Sequence, residues 1–151
     1  MIKISFASFA ALFILSCNRD DNNTTTSTSD SVVGNWKLTT FIILDGKDKK
    51  TIYSETNSGC EASNRSEYKK EGTTSFTFYD YSTGSCALKT TKTGTYTYDN
   101  TTKKLTNTID GVSISSTLYS LSSLEMQVQT DEIDYNNDGT PDLKISVYVK
   151  Q

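Results

Sequence analysis

Apolar side chains recur at every second residue along most of this chain, and that period constrains its fold more than any other feature. Near the C-terminus Leu143, Ile145, Val147 and Val149 alternate with Lys144, Ser146, Tyr148 and Lys150. Upstream, Leu124, Met126 and Val128 alternate with Glu125, Gln127 and Gln129. Successive side chains of a strand point to opposite faces, so the pattern describes strands with one buried face. Phe76 and Phe78, Tyr96 and Tyr98, and Val112 and Ile114 keep the same step, with Thr or Ser between. Trp36, Leu38, Thr40, Ile42 and Leu44 alternate with Lys37, Thr39, Phe41 and Ile43, which makes the first strand apolar on both faces near its end. Turn signals fall at Asp45-Gly46, Gly72, Gly84, Asp99-Asn100, Asp110-Gly111 and Asn137-Asp138-Gly139. The first predicts a tight turn with Lys47 to Ser54 returning as partner strand. No window sustains a helical period. The fold class is all-β, with about eight to ten short antiparallel strands that must dispose of their edges. An up-and-down barrel and a two-sheet sandwich both do so.

The first residues read differently. After Lys3 an uncharged run extends from Ile4 to Ser16, of signal-peptide length and too short to span a bilayer. It ends in Ile14-Leu15-Ser16-Cys17, which resembles the lipobox of bacterial lipoproteins. The resemblance implies that residues 1–16 are removed as a lipoprotein signal peptide and that Cys17 becomes an acylated N-terminus anchored in a membrane. An ordinary secretory signal, with Cys17 incidental, is the alternative. Residues 18–31 carry no apolar side chain, so 17–31 reads as the lipidated cysteine and a flexible polar tether. Within it, Arg19-Asp20-Asp21 resembles the signal that sends some Bacteroidetes-type lipoproteins to the cell surface. That implies a surface-exposed, outer-membrane lipid anchor, the alternative being a periplasm-facing one.

Residues 32–151 suffice for one domain with a modest core. Once the lipobox claims Cys17, Cys60 and Cys86 remain. An even pair in an oxidising compartment reads as one disulfide, which at this loop size stabilises by roughly 3–4 kcal/mol. Two free thiols or a metal pair is the alternative, although the chain lacks the histidines and close cysteine spacing that zinc uses. The net charge of −3 becomes one unit more negative when Lys3 leaves with the signal. A mildly acidic chain with no basic stripe argues against nucleic acid as a partner.

The opening of the first predicted strand separates barrel from sandwich. Val33-Gly34-Asn35-Trp36-Lys37-Leu38 resembles the Gly-x-Trp-x-Leu start of lipocalins, whose tryptophan closes one end of the barrel. With the lipobox, the tether and a cysteine pair flanking the next hairpin region, the chain is similar to the lipocalin-like lipoproteins of Bacteroidetes-type bacteria. The resemblance implies a single antiparallel up-and-down barrel over 32–151, with Gly34 and Trp36 at its closed end. In lipocalins an arginine near the last strand packs over that tryptophan. Here no arginine follows Arg65, and Lys150 is the nearest cation, a poorer partner for indole.

Chemistry can be weighed by elimination. With no histidine there is neither a Ser-His-Asp nor a Cys-His arrangement. Asp80, Asp99, Asp110, Asp131 and Glu132 fall at strand ends or turns, not in the facing pairs that glycoside hydrolysis uses. No Gly-rich phosphate loop opens a helix. The reading is therefore not an enzyme. One loop has metal-like spacing: Asp134, Asn136, Asp138, Gly139 and Asp142 fit Asp-x-Asn-x-Asp-Gly-x-x-Asp, the oxygen spacing of calcium loops. Its twelfth position is Ile145 where an EF-hand carries a glutamate, and its flanks read as strands. A polar hairpin turn, built from residues that tolerate left-handed conformations, is the competing reading.

Two functions stand. One is a carrier of a small apolar or amphipathic ligand in the barrel mouth, lined by Phe76, Phe78, Tyr96 and Tyr98. The other is a non-catalytic surface module with a filled barrel, whose Thr- and Tyr-rich outer face meets an envelope protein or a glycan.

Overall fold

The computed structural model describes residues 31–82 and 84–151. The signal peptide expected over 1–16, Cys17 and the tether before Ser31 lie outside the described residues. The strands are β1 (Gly34–Leu44), β2 (Thr51–Thr56), β3 (Arg65–Tyr68), β4 (Thr73–Asp80), β5 (Ala87–Asp99), β6 (Lys104–Ile109), β7 (Val112–Leu121), β8 (Glu125–Ile133) and β9 (Asp142–Lys150), with a short 3₁₀ helix at Cys60–Ser63. All pairings among them are antiparallel, and they form one sheet.

From β3 onward each strand pairs with the next, and β9 returns to β1 from Trp36↔Lys150 to Leu44↔Leu143. That closure makes an up-and-down barrel and removes the sandwich. The other edge of β1 is shared. Its start pairs with β3 and its end with β2, so β2 and β3 are one strand position interrupted by the 3₁₀ helix. Among the described residues β1 is the only strand partner of β2. The barrel wall is therefore continuous at the β3 level and broken beside β2.

The alternation read from β1 is reversed halfway along. A bulge at Thr39 separates Leu38↔Tyr148 from Thr40↔Val147. Trp36 and Leu38 share the face of Tyr148, and beyond the bulge it is Phe41 and Ile43 that continue this face, opposite Ser146 and Lys144. Ile42 and Leu44 are thereby turned to the other side, where they pack with Leu143, Ile145 and Val147 in a second, smaller cluster. An extra residue in one strand flips every side chain after it. That is why the strand looked apolar on both faces.

The main core lies at one end. Trp36, Tyr68, Leu105, Leu118, Met126 and Val128 pack there, joined by Val32 from ahead of β1. Each large apolar side chain buried in this way contributes about 1.5–3 kcal/mol. The turns follow local chemistry. Asp110 and Gly111 both have positive φ (51° and 77°), the two-residue turn whose twist suits a hairpin. Asp45-Gly46 does not close as tightly as expected: the Asp45 carboxylate accepts from Lys47 N and Asp48 N, and the widened turn delays β2 to Thr51.

Candidate functional site

The inward faces of β4 to β7 carry Phe76 and Phe78, Lys92, Asn107 and Ile109, and Val112 and Ile114, matched across the sheet as Phe76↔Lys92, Asn107↔Ile114 and Ile109↔Val112. With Asp110 they line an open cleft of about 430 Å³. Small-molecule sites span roughly 300–1,000 Å³ and are mostly apolar with a few placed polar groups. Val112 and Ile114 are 62% and 65% exposed although they face the barrel interior. Apolar side chains that project inward without being packed are the cleft's main chemical feature.

Three polar groups interrupt the wall. Lys92 Nζ lies 3.1 Å from Asp110 Oδ2 at the rim. Deeper in, burial raises the pKa of the Tyr68 hydroxyl, and the neighbouring Asn107 side chain partly offsets the rise. Asn107 Oδ1 is buried and has no hydrogen-bond partner.

The expected ligand-lining residues divide. Phe76 and Phe78 line the cleft, Phe76 also packing against the main core, whereas Tyr96 and Tyr98 pack against that core and are not among the cleft's lining. Tyr96 meets Tyr68 edge-on at 4.9 Å and donates its hydroxyl to Lys69 O at 2.9 Å. All four face inward as the alternation requires, but the aromatic positions of β5 lie toward the closed end. Lys92, Asn107 and Ile109 complete the wall beside the phenylalanines. Alternation reports which face a residue occupies and says nothing of its depth.

At the closed end Trp36 is fully buried and its Nε1–H donates to Val32 O at 2.7 Å. Lys150 Nζ stands 5.0 Å from the indole centroid. Gly34 makes this possible. It has φ +145°, and a Cβ there would collide with Lys150 Cε. The Gly-x-Trp pair thus has a local reason: one residue supplies the ring and the other leaves room for the cation above it.

Cys60 and Cys86 form the expected disulfide, with Cα atoms 5.3 Å apart. It links the 3₁₀ helix to the β4–β5 turn, and Asn64 Oδ1 accepts from Tyr79 N at 2.8 Å beside it. Together these contacts hold the helix against β4, next to the break left by β2.

The 134–142 loop is braced internally. Asp134 accepts from Asp138 N and Gly139 N, and Asn136 Oδ1 accepts from Asp138 N. Asp138 accepts from Thr140 N and pairs with Lys47 at 2.8 Å, a contact that lowers its carboxyl pKa. Asp142 is fully buried and accepts from Gly46 N, Tyr135 N and Asn136 N, tying the β1–β2 turn to this loop. Among the described residues no group of three or more acids, cysteines or histidines is arranged to hold a metal ion. The loop's carboxylates and Asn136 organise its N–H groups.

Comparison with known proteins bears on the whole arrangement. A family model described as a lipocalin-like domain matches residues 32–128. Similar solved structures include a lipocalin-like protein from Bacteroides uniformis (15% identity, 79% of this chain and 97% of that one, TM-score 0.49). The bovine lipocalin allergen Bos d 2 is 18% identical over 78% of this chain and 71% of that one, with TM-score 0.39. A deswapped triple mutant of bovine odorant-binding protein is 15% identical over 78% and 72%, with TM-score 0.38. A search of curated proteins finds no match.

Proposed function

This chain belongs to the lipocalin-like domain family, and from that premise we propose that it carries a small apolar or amphipathic molecule in the cleft between β4 and β7. The observation that carries this reading is the pair Val112 and Ile114, apolar, inward-facing and more than half exposed. A ligand lying on them removes that surface from water at roughly 25 cal/mol per Å². The packed end supplies a rigid floor, and the open end supplies entry. No step in this reading is catalytic.

The test is displacement of a neutral naphthylamine dye whose fluorescence rises in apolar surroundings. Ile114→Lys is expected to weaken dye binding at least tenfold while leaving the melting temperature within a degree or two, because the side chain is not packed. Equal binding by the variant would remove the cleft as the site. Native mass spectrometry of the purified domain looks for a co-purified molecule directly.

The lipobox supports an acylated Cys17 and a place in the cell envelope. Cys17→Ser is then expected to release the protein from the membrane fraction, and unchanged fractionation would sink the anchor. A second reading rests on the outer face, where Thr73, Thr95, Thr108 and Ser113 form one rank across β4 to β7. Thr108 and Ser113 hydroxyls lie 2.8 Å apart. An uncharged hydroxyl surface of this kind suits a glycan, and a polysaccharide pull-down abolished by Thr95→Lys would favour it.

A further inference from the structure

Asn107 is the one side chain of the cleft whose hydrogen-bonding capacity the fold leaves unmet. Its position on β6 is fixed by Tyr96↔Asn107 on one side and Asn107↔Ile114 on the other, so it faces the barrel interior midway between the packed end and the mouth. Oδ1 is left buried among the cleft's lining residues with no partner. A buried acceptor without a donor costs about as much as a lost hydrogen bond, and such groups are rare in folded proteins.

We propose that the ligand of this cleft is a neutral molecule with an apolar body and a hydroxyl or N–H donor, and that Asn107 Oδ1 is the acceptor that selects it. This rests on the reading of the cleft as a binding site. Phe76, Phe78, Val112 and Ile114 take the apolar body. The single cation of the lining, Lys92, already faces Asp110 at the rim. An anionic head group therefore meets a balanced pair in solvent, where charges gain little. Because Oδ1 is already out of water and unpartnered, a ligand that brings a donor to it gains a hydrogen bond that a ligand without one does not.

The experiment uses three probes of similar size against the bound naphthylamine dye. They are n-octanol, its isomer heptyl methyl ether, which keeps the oxygen but has no donor, and octanoate. The expected result is that octanol displaces the dye at about a tenfold lower concentration than the ether, with octanoate no better than the ether. Asn107→Leu is expected to bring octanol and ether within about twofold of each other while retaining dye binding. If the dye binds the unmutated protein and the ether competes as well as octanol, the donor requirement is overturned and the cleft survives. A better result for octanoate overturns the neutral head group. If the dye does not bind at all, the cleft reading falls and this inference with it. The unmutated comparison decides the matter even if the leucine variant does not fold.

Discussion

The two ends of this barrel are built by the same inward alternation and reach opposite states. At one end the inward residues Trp36, Leu105, Leu118 and Met126 are all but inaccessible; at the other, Val112 and Ile114 stand mostly in solvent. The difference is one of surroundings. Around Trp36 the wall is complete, because β1 is flanked by both β3 and β9. Toward the mouth β2 departs from the ring, the wall is interrupted, and the inward side chains of β6 and β7 have no facing layer. Hydrophobicity made both ends possible, and strand continuity decided which one is packed.

The largest expected effect tests that contrast directly. Trp36→Ala should cost about 3–5 kcal/mol in chemical denaturation, since it empties the centre of the packed end. Ile114→Ala should stay within about 0.5 kcal/mol, as at other unpacked positions. Comparable losses at the two sites would mean that the ends do not differ. Next in size is the Cys60–Cys86 link. Reducing it should lower the melting temperature by several degrees, in keeping with roughly 3–4 kcal/mol, and free thiols in the folded oxidised protein would contradict the bond.

Smaller effects are expected at the loops. The 134–142 carboxylates are already met by N–H groups and by Lys47, so millimolar calcium should leave the calorimetric melting temperature unchanged. A rise that Asp138→Ala removes would restore the loop as a calcium site. Acid should act weakly and in one direction. Hydrogen bonds from Lys47, Ser82 and Thr102 hold the Asp138, Asp80 and Asp99 carboxyls below the ordinary value of 3.8 in the folded state. The unfolded chain therefore takes up these protons first. Stability from these turns is present above about pH 4 and drains away as pH falls through the lowered values. Asp138 and Asp99 are exposed and Asp80 is half-buried, so the decline should be shallow, and a melting temperature that rises between pH 4 and pH 3 would contradict it.

Much of this was legible in the residues. The strand period and the Gly, Asp and Asn turns gave antiparallel strands, and the resemblance carried by Gly34 and Trp36 chose the barrel and marked its closed end. Three things escaped. The bulge at Thr39 is invisible because threonine suits a regular strand as well as an irregular one, yet it reassigns Ile42 and Leu44 to the opposite face. The split of one strand position into β2 and β3 depends on where the 3₁₀ helix is clamped, a long-range matter. Asn107, between two threonines, looked like any polar residue of a solvated strand. Only register with Tyr96 and Ile114 shows that it faces inward.

The seam between β1 and β9 has a consequence in time. Trp36 opposes Lys150, so the earliest strand finds its lasting neighbour only in the latest one. A chain that emerges N-terminus first can form its hairpins one after another, but that side of β1 must wait. Ring closure cannot precede the last strand, and pairing over so long a separation is slow. During the wait the half-built sheet exposes two bare margins, the interval in which a nascent molecule is most exposed to joining the wrong neighbour.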